Sequence, residues 1–235
     1  GGCLIRKIFF SAAKHTVVFA IVLFLLWLLL FLSALIPNDM IRDNMEQSAL
    51  SYKERTAFEF TDGKKLNSVA DHYADSIWLN VSWNMGEDSP LISSIRTNYY
   101  DGGELGVNAG LYLSVTQGTE PNKDYTRYWH GTVMFIRLGH LITDVEGVKL
   151  IGFIAFLLLV GLTIFILARK RHWDLAIILA LSLAAVQIWN IRLSMEYQPG
   201  FILAFVLVPL FLILERRDDK WLTILSVVSG TAVAF

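Results

Sequence analysis

The sequence predicts an all-α polytopic membrane protein. It would have about five transmembrane helices and a large extracytoplasmic loop, carrying juxtamembrane amphipathic helices, after the first span. Three observations predict this. Of the 235 residues, 54% are hydrophobic and only 17% charged, where a soluble domain carries about a quarter charged. The apolar residues gather in stretches close to the length of a bilayer crossing, and basic residues collect at one set of their ends. The formal charge of -1 excludes a nucleic-acid binder driven by basicity, and the single cysteine excludes a disulfide framework or a multi-cysteine metal site.

The apolar stretches are 15–36, 150–168, 175–191, 197–214, and one from 221 to the chain end. No charge lies between Lys14 and Asp39. At about 1.5 Å per residue the first stretch covers the roughly 30 Å hydrocarbon core. Its length suits an uncleaved anchor better than a signal peptide, whose apolar core is usually about 7–15 residues. The last stretch is short for a span, and the chain opens without a Met, so it reads as the front part of a longer protein. Arg6, Lys7 and Lys14, then Arg169, Lys170 and Arg171, then Arg216, Arg217 and Lys220 all fall on one side. Basic residues in short loops mark the cytoplasmic side. This gives three regions: a cytoplasmic N-terminus and first span (1–36), an extracytoplasmic loop (37–147), and spans two to five (148–235). The localisation that follows is an integral protein of a bacterial plasma membrane. Cys3 then sits beside the membrane as an inert thiol.

Residues 37–147 hold 16 acidic and 9 basic residues, a net of -7. Trp78, Trp83, Trp129 and many Tyr and Leu argue for an ordered portion rather than disorder. An amphipathic helix is expected over 39–59, then a turn at Thr61-Asp62-Gly63. A helical run is expected to start near Leu66 and to pass through Leu79. Asp71 and Asp75 would then share one face, four residues apart. Like charges at that spacing repel, unless something cationic or protic sits between them. The stretch 101–106 reads as a flexible glycine-rich loop, and Asn80-Val81-Ser82 as a chance glycosylation sequon. Further on, Val133, Ile136, Leu138 and Leu141 suit a helix over 132–142 lying in the interface. Tyr128 and Trp129 are natural headgroup-level anchors. Arg127, His130 and Arg137 are placed to meet phosphate or carboxylate groups. Arg192 and Glu196 bound the third span as a helix-end pair, and Gln187 and Asn190 sit near its outer end. His72, His130 and His140 lack the i, i+4 pairing of a helical zinc site. No P-loop, GxSxG or HExxH motif is present.

The order of these features resembles the GT-C glycosyltransferase superfamily, which includes the protein mannosyltransferases and the lipid A aminoarabinose transferases. The matching stretch is Tyr128-Trp129-His130-Gly131-Thr132 through Thr143-Asp144-Val145-Glu146-Gly147, the second span, and Arg169-Lys170-Arg171. The stretch Asn190-Ile191-Arg192-Leu193-Ser194-Met195-Glu196-Tyr197 is similar to that family's outward Arg-plus-acid turn. The resemblance covers roughly 60–235. The family's proline near His130 is missing, and its acid soon after the first span is matched in place only by Asp39 and Asp43. The resemblance implies transfer of a sugar from a polyprenyl-phosphate donor to an acceptor on the extracytoplasmic face. A carboxylate would take the acceptor proton, and cations or a divalent metal ion would compensate the departing phosphate. On that reading Asp75, with Asp71 beside it, is the base or metal-binding acid. Arg127, Tyr128, His130 and Arg192 bind the donor. The implied partners are membrane lipids and the polyprenyl-phosphate-linked sugar, with no nucleic acid.

Two other classes stay open from sequence. A transporter or flippase typically carries charges inside spans or Gly/Pro breaks repeated in two halves; Pro199 and Pro209 are the only such breaks in the fourth stretch, and no repeat is visible. A non-catalytic sensor or assembly protein would use 37–147 as a binding surface.

Overall fold

The computed structural model describes residues 2–63, 68–85, 89–125, 131–214 and 219–234. These residues are mostly helical. The first helix, α1 (Gly2–Ala34), has an apolar stretch, Phe9–Ala34, that is 26 residues long. Leu25, Leu29 and Leu32 on it stay exposed.

After Pro37 the chain enters α2 (Asn38–Tyr52). Ile41, Met45, Ser48, Ala49 and Tyr52 recur every three or four residues, so they form one buried face. This helix stops at Tyr52 and does not run to residue 59 as expected. The chain turns instead into β1 (Phe58–Phe60), which pairs antiparallel with β2 (Val69–Asp71) in the register Phe58↔Asp71. Strands of three residues are too short to leave a period-two signature.

α3 (His72–Asn84) corrects a second expectation. Asp71 and Asp75 do not share a helical face, because Asp71 precedes the helix. Its carboxylate caps the first turn, accepting from the Ala74 amide at 2.8 Å. The expected start at Leu66 lies outside the described residues. Nearly all of α3 is buried, and α2 and the later helices Gly106–Gln117 and Val133–His140 pack around it. Asn80, the sequon residue, is 1% exposed. It donates to Tyr100 O and accepts from Tyr100 N, so it serves the fold.

A short helix, α4 (Pro90–Ser93), leads to β3 (Asn98–Tyr99), which pairs with β4 (Lys123–Asp124). Between the two strands, the expected glycine-rich flexible loop is a 3-10 turn (Gly103–Leu105) running into α5 (Gly106–Gln117). The glycines serve close packing. A Cβ on Gly102 would lie 2.6 Å from Gly106 O, and one on Gly110 would lie 2.8 Å from Tyr100 O.

α6 (Val133–His140) leads to α7 (Val145–Arg169), where Asp144 caps the first turn through the Gly147 amide. α8 (Trp173–Ala185) follows. It ends short of the expected third span, because Gln187 takes a left-handed conformation (φ 54) and a 3-10 turn (Ile188–Leu193) follows. α9 (Gln198–Leu214), with Pro209 inside it, and α10 (Asp219–Ala234) complete the order. Two helices are long and apolar enough to cross a membrane, α1 over Phe9–Ala34 and α7. The apolar helices Trp173–Ala185, Gln198–Leu214 and Lys220–Ala234 are shorter.

The main core joins Ile41, Met45, Tyr52, Leu79, Leu111 and Ile136 with Val145 and Met195. Segment 38–140 is therefore packed onto the N-terminus of α7 and the start of α9, and that seam positions the site.

Candidate functional site

The site grows from four elements that meet at the N-terminal end of α7. α3 contributes Asp75, which is fully buried. α2 ends on Tyr52, whose hydroxyl donates to Asp75 Oδ2 at 2.9 Å. α7 contributes Lys149, whose Nζ lies 3.1 Å from Asp75 Oδ2 and 2.5 Å from Tyr52 Oη. The strand-like link after the 188–193 turn contributes the Met195 amide, which donates to Asp75 Oδ1 at 2.8 Å. Gln198, at the start of α9, donates to Lys149 O at 3.0 Å and holds that turn of α7 in place.

Burial pushes the Asp75 carboxyl upward from its ordinary value. The Lys149 ammonium, the Tyr52 hydroxyl and the Met195 amide pull it back. All three neighbours are donors, and an ionised carboxylate is an acceptor only, so the charged form is the one this geometry satisfies. Burial, and then the charge of Asp75, push the Tyr52 phenol far upward, so it stays a neutral donor.

Lys149 stands between Asp75 and a cavity of about 560 Å³. Arg55, His72, Glu146, Lys149, Leu150 and Arg192 are among the residues that line it; Asp75 is not. Arg55 reaches Glu146 at 3.3 Å, and Lys149 reaches the same carboxylate at 3.7 Å. His72 donates from Nδ1 to Thr56 O at 3.0 Å, which leaves Nε2 to accept from Arg55 at 3.4 Å. Arg192 is exposed, and among the described residues no acid pairs with it. Beside the acids Glu59 and Glu146 the cavity therefore presents cations from three elements, of which one, Arg192, has no acid partner among the described residues. It is suited to an anion, and the exposed Leu150 gives it an apolar margin.

Of the residues singled out from sequence, Arg192 lines this cavity, and Asp75 lies behind Lys149 without lining it. Asp71 lies nearby in a capping role, and its amide donates to Ser194 Oγ at 2.6 Å. Arg127, Tyr128 and His130 lie outside the described residues. The residues here do not fit a metal ion. Both oxygens of Asp75 are taken by donors, and among the described residues no three His, Cys, Asp or Glu side chains gather around one point.

Arg137 is corrected from an interfacial to an interior group, and His140 on the same helix is interior too. Arg137 is fully buried and donates to Ser33 O at 3.0 Å, Asn38 Oδ1 at 3.2 Å, and the carbonyls of Ile36 and Ser82. It thus clamps the C-terminal ends of α1 and α3, where helix carbonyls lack partners and the dipole favours a cation. Burial lowers its guanidinium to about 10, so it remains charged at neutral pH. His140 is also fully buried, with Nδ1 against Ile136 O at 2.8 Å and Nε2 against Ser48 Oγ at 3.1 Å. Burial lowers it to about 4, so it is neutral.

Sequence reasoning missed Tyr52, Arg55 and Lys149. Lys149 carried a usable signal. With Glu146 it is one of two charges in the first turns of a helix that is otherwise apolar enough to cross a membrane, and such residues mark functional sites by default. Starting that span at residue 150 hid it as a boundary.

No family model matches this chain, and neither a curated protein nor a solved structure matches it.

Proposed function

We propose that this protein is a membrane glycosyltransferase of the GT-C kind, moving a sugar from a polyprenyl-phosphate donor to an acceptor on the extracytoplasmic face. In this reading the N-terminus is cytoplasmic, α1, α7, α8, α9 and α10 are the five spans, and segment 37–147 lies outside the membrane. One observation carries the proposal. Arg55, Lys149 and Arg192 converge from three elements on one cavity at the N-terminal end of α7, with the buried acid Asp75 directly behind Lys149.

The chemistry follows from that arrangement. The acceptor oxygen attacks the anomeric carbon, the bond from that carbon to the phosphate oxygen breaks, and the phosphate leaves with the extra charge. The three cations stabilise that charge, which is where preorganised electrostatics contributes most. Arg127, Tyr128 and His130, which lie outside the described residues, enter this reading as donor-binding residues through the resemblance alone. The acceptor proton passes to a carboxylate. Asp75 takes it once the incoming phosphate draws the Lys149 ammonium toward itself, which opens the way from the cavity to Oδ2 and leaves the Tyr52 hydroxyl as that oxygen's remaining donor. Asp71 positions Asp75 by capping the turn that carries it.

The test is transfer from a radiolabelled polyprenyl-phosphate sugar by the full-length protein in vesicles. Asp75→Asn and Arg192→Gln are each expected to reduce turnover, Asp75→Asn to background. Full turnover in Asp75→Asn would remove Asp75 from the reaction. Tight binding of the lipid phosphate with no transfer would favour a transporter or sensor.

A further inference from the structure

We propose that residues 89–95 dip into the outer leaflet beside α1, with Leu91, Ile92 and Ile95 in contact with lipid acyl chains. The proposal rests on α1 crossing the membrane and is independent of the transferase reading.

The first observation is that this segment is inside out. Ser93 and Ser94 are 2% and 0% exposed, whereas Leu91, Ile92 and Ile95 are 53%, 50% and 59% exposed. A segment solvated by water would turn its serines outward and its leucines inward. The opposite arrangement is stable where the solvent is hydrocarbon.

Depth is the second observation. The Trp27 indole donates to Ser94 Oγ at 3.2 Å. Trp27 lies seven residues before the end of α1 at Ala34, about 10 Å down the helix at 1.5 Å per residue. Side chains on a helix lean toward its N-terminus, so the indole lies no shallower than its own turn. One leaflet of hydrocarbon is about 15 Å thick. Ser94 therefore sits well within the outer leaflet when α1 spans it.

Third, every amide from Ile92 to Arg96 is bonded within the segment. Pro90 has no amide hydrogen, and Ser89 Oγ accepts from the Ile92 amide. The amides of Ser93, Ser94, Ile95 and Arg96 donate to Ser89, Pro90 and Ile92 carbonyls. Only structures that bond their own backbone are tolerated in lipid. The chain then returns to water at Arg96, whose exposed guanidinium pairs with Asp124 at 2.8 Å.

Acyl chains are the occupant that fits, because the apolar face continues onto the exposed Phe24 of α1, whose ring lies 5.8 Å from that of Trp27. The test places a fluorophore at Ile92→Cys in the full chain. Cys3, the only native cysteine, is first replaced by serine, and the protein is reconstituted in phosphatidylcholine vesicles. The control is Gln117→Cys at the exposed end of α5. Lipids brominated along the acyl chain are expected to quench the label at position 92 several-fold more than the label at 117, with aqueous iodide showing the reverse order. Ile95→Cys is expected to behave like Ile92→Cys. Iodide quenching at 92 equal to that at 117 would overturn the proposal. So would a label at 92 shielded from both quenchers, which would mean that protein covers the face.

Discussion

Helices α3 and α7 solve opposite problems. α3 buries His72, Asp75, Ser76, Asn80, Ser82 and Asn84, and most of these polar groups have named partners. α7 exposes Leu150, Ile151, Ile154, Leu157, Leu158 and Phe165, and buries few residues. A polar interior needs a specific partner for each group, and a lapse costs the desolvation of that group. An apolar exterior needs no partners once its solvent is apolar. The part of the chain packed around α3 therefore owes its specificity to hydrogen bonds, and the apolar helices owe theirs to packing. Lys149 belongs to both regimes, since it is carried by α7 and used by α3.

The largest effect should come from breaking that shared group. Lys149→Met leaves Asp75 buried against no counter-charge and should lower stability by about 3–5 kcal/mol, while the double variant Asp75→Asn/Lys149→Met recovers much of the loss. Thermal unfolding of the purified protein in detergent measures both. Equal losses in the single and double variants would mean that the pair is not coupled. Next, Arg137→Met leaves the carbonyls of Ser33, Ile36 and Ser82 without their donor and should cost about 3 kcal/mol, read in the same way.

The third prediction is a pH dependence. His140 has a native value of about 4 against an ordinary 6.5. The native state therefore binds fewer protons than the unfolded state between these values. The stability that His140 contributes is complete above pH 6.5 and is lost as the pH falls toward 4, by about 3 kcal/mol in all. The upward displacement of Asp75 acts with the opposite sign, so the comparison must be made against His140→Asn, whose acid limb should be flatter. The smallest effect is expected outside both regimes. Arg96 and Asp124 are both exposed, and Arg96→Ala should change stability by less than about 1 kcal/mol.

What could be read from the sequence divides along the same line. The apolar helices were legible because their signal is cumulative over many residues, and α1, α7 and α9 fall close to the stretches expected. α8 was overextended because Gln187 breaks the helix without a Pro or Gly to announce it. Within 37–147, order was legible from the aromatic content, and Asp75 was picked out by its four-residue spacing from Asp71, a shared face that the cap at Asp71 does away with. Its neighbours did not. Tyr52, Lys149 and Met195 are brought to it by tertiary packing, which leaves no local spacing to recognise. Arg137 looked like a surface cation on an amphipathic helix, because sequence gives the face of a residue and not what covers that face. The two strand pairs are two or three residues long, below the length at which alternation can be counted.

The bond from the Met195 amide to Asp75 spans 120 positions of chain. On a ribosome Asp75 is made long before the lysine and the amide that complete it. A nascent polypeptide thus carries Asp75 without its full set of partners until helices α4 to α8 have emerged. Truncation anywhere before residue 195 would strand that acid permanently, and such fragments should be marked for proteolysis rather than accumulate as stable intermediates.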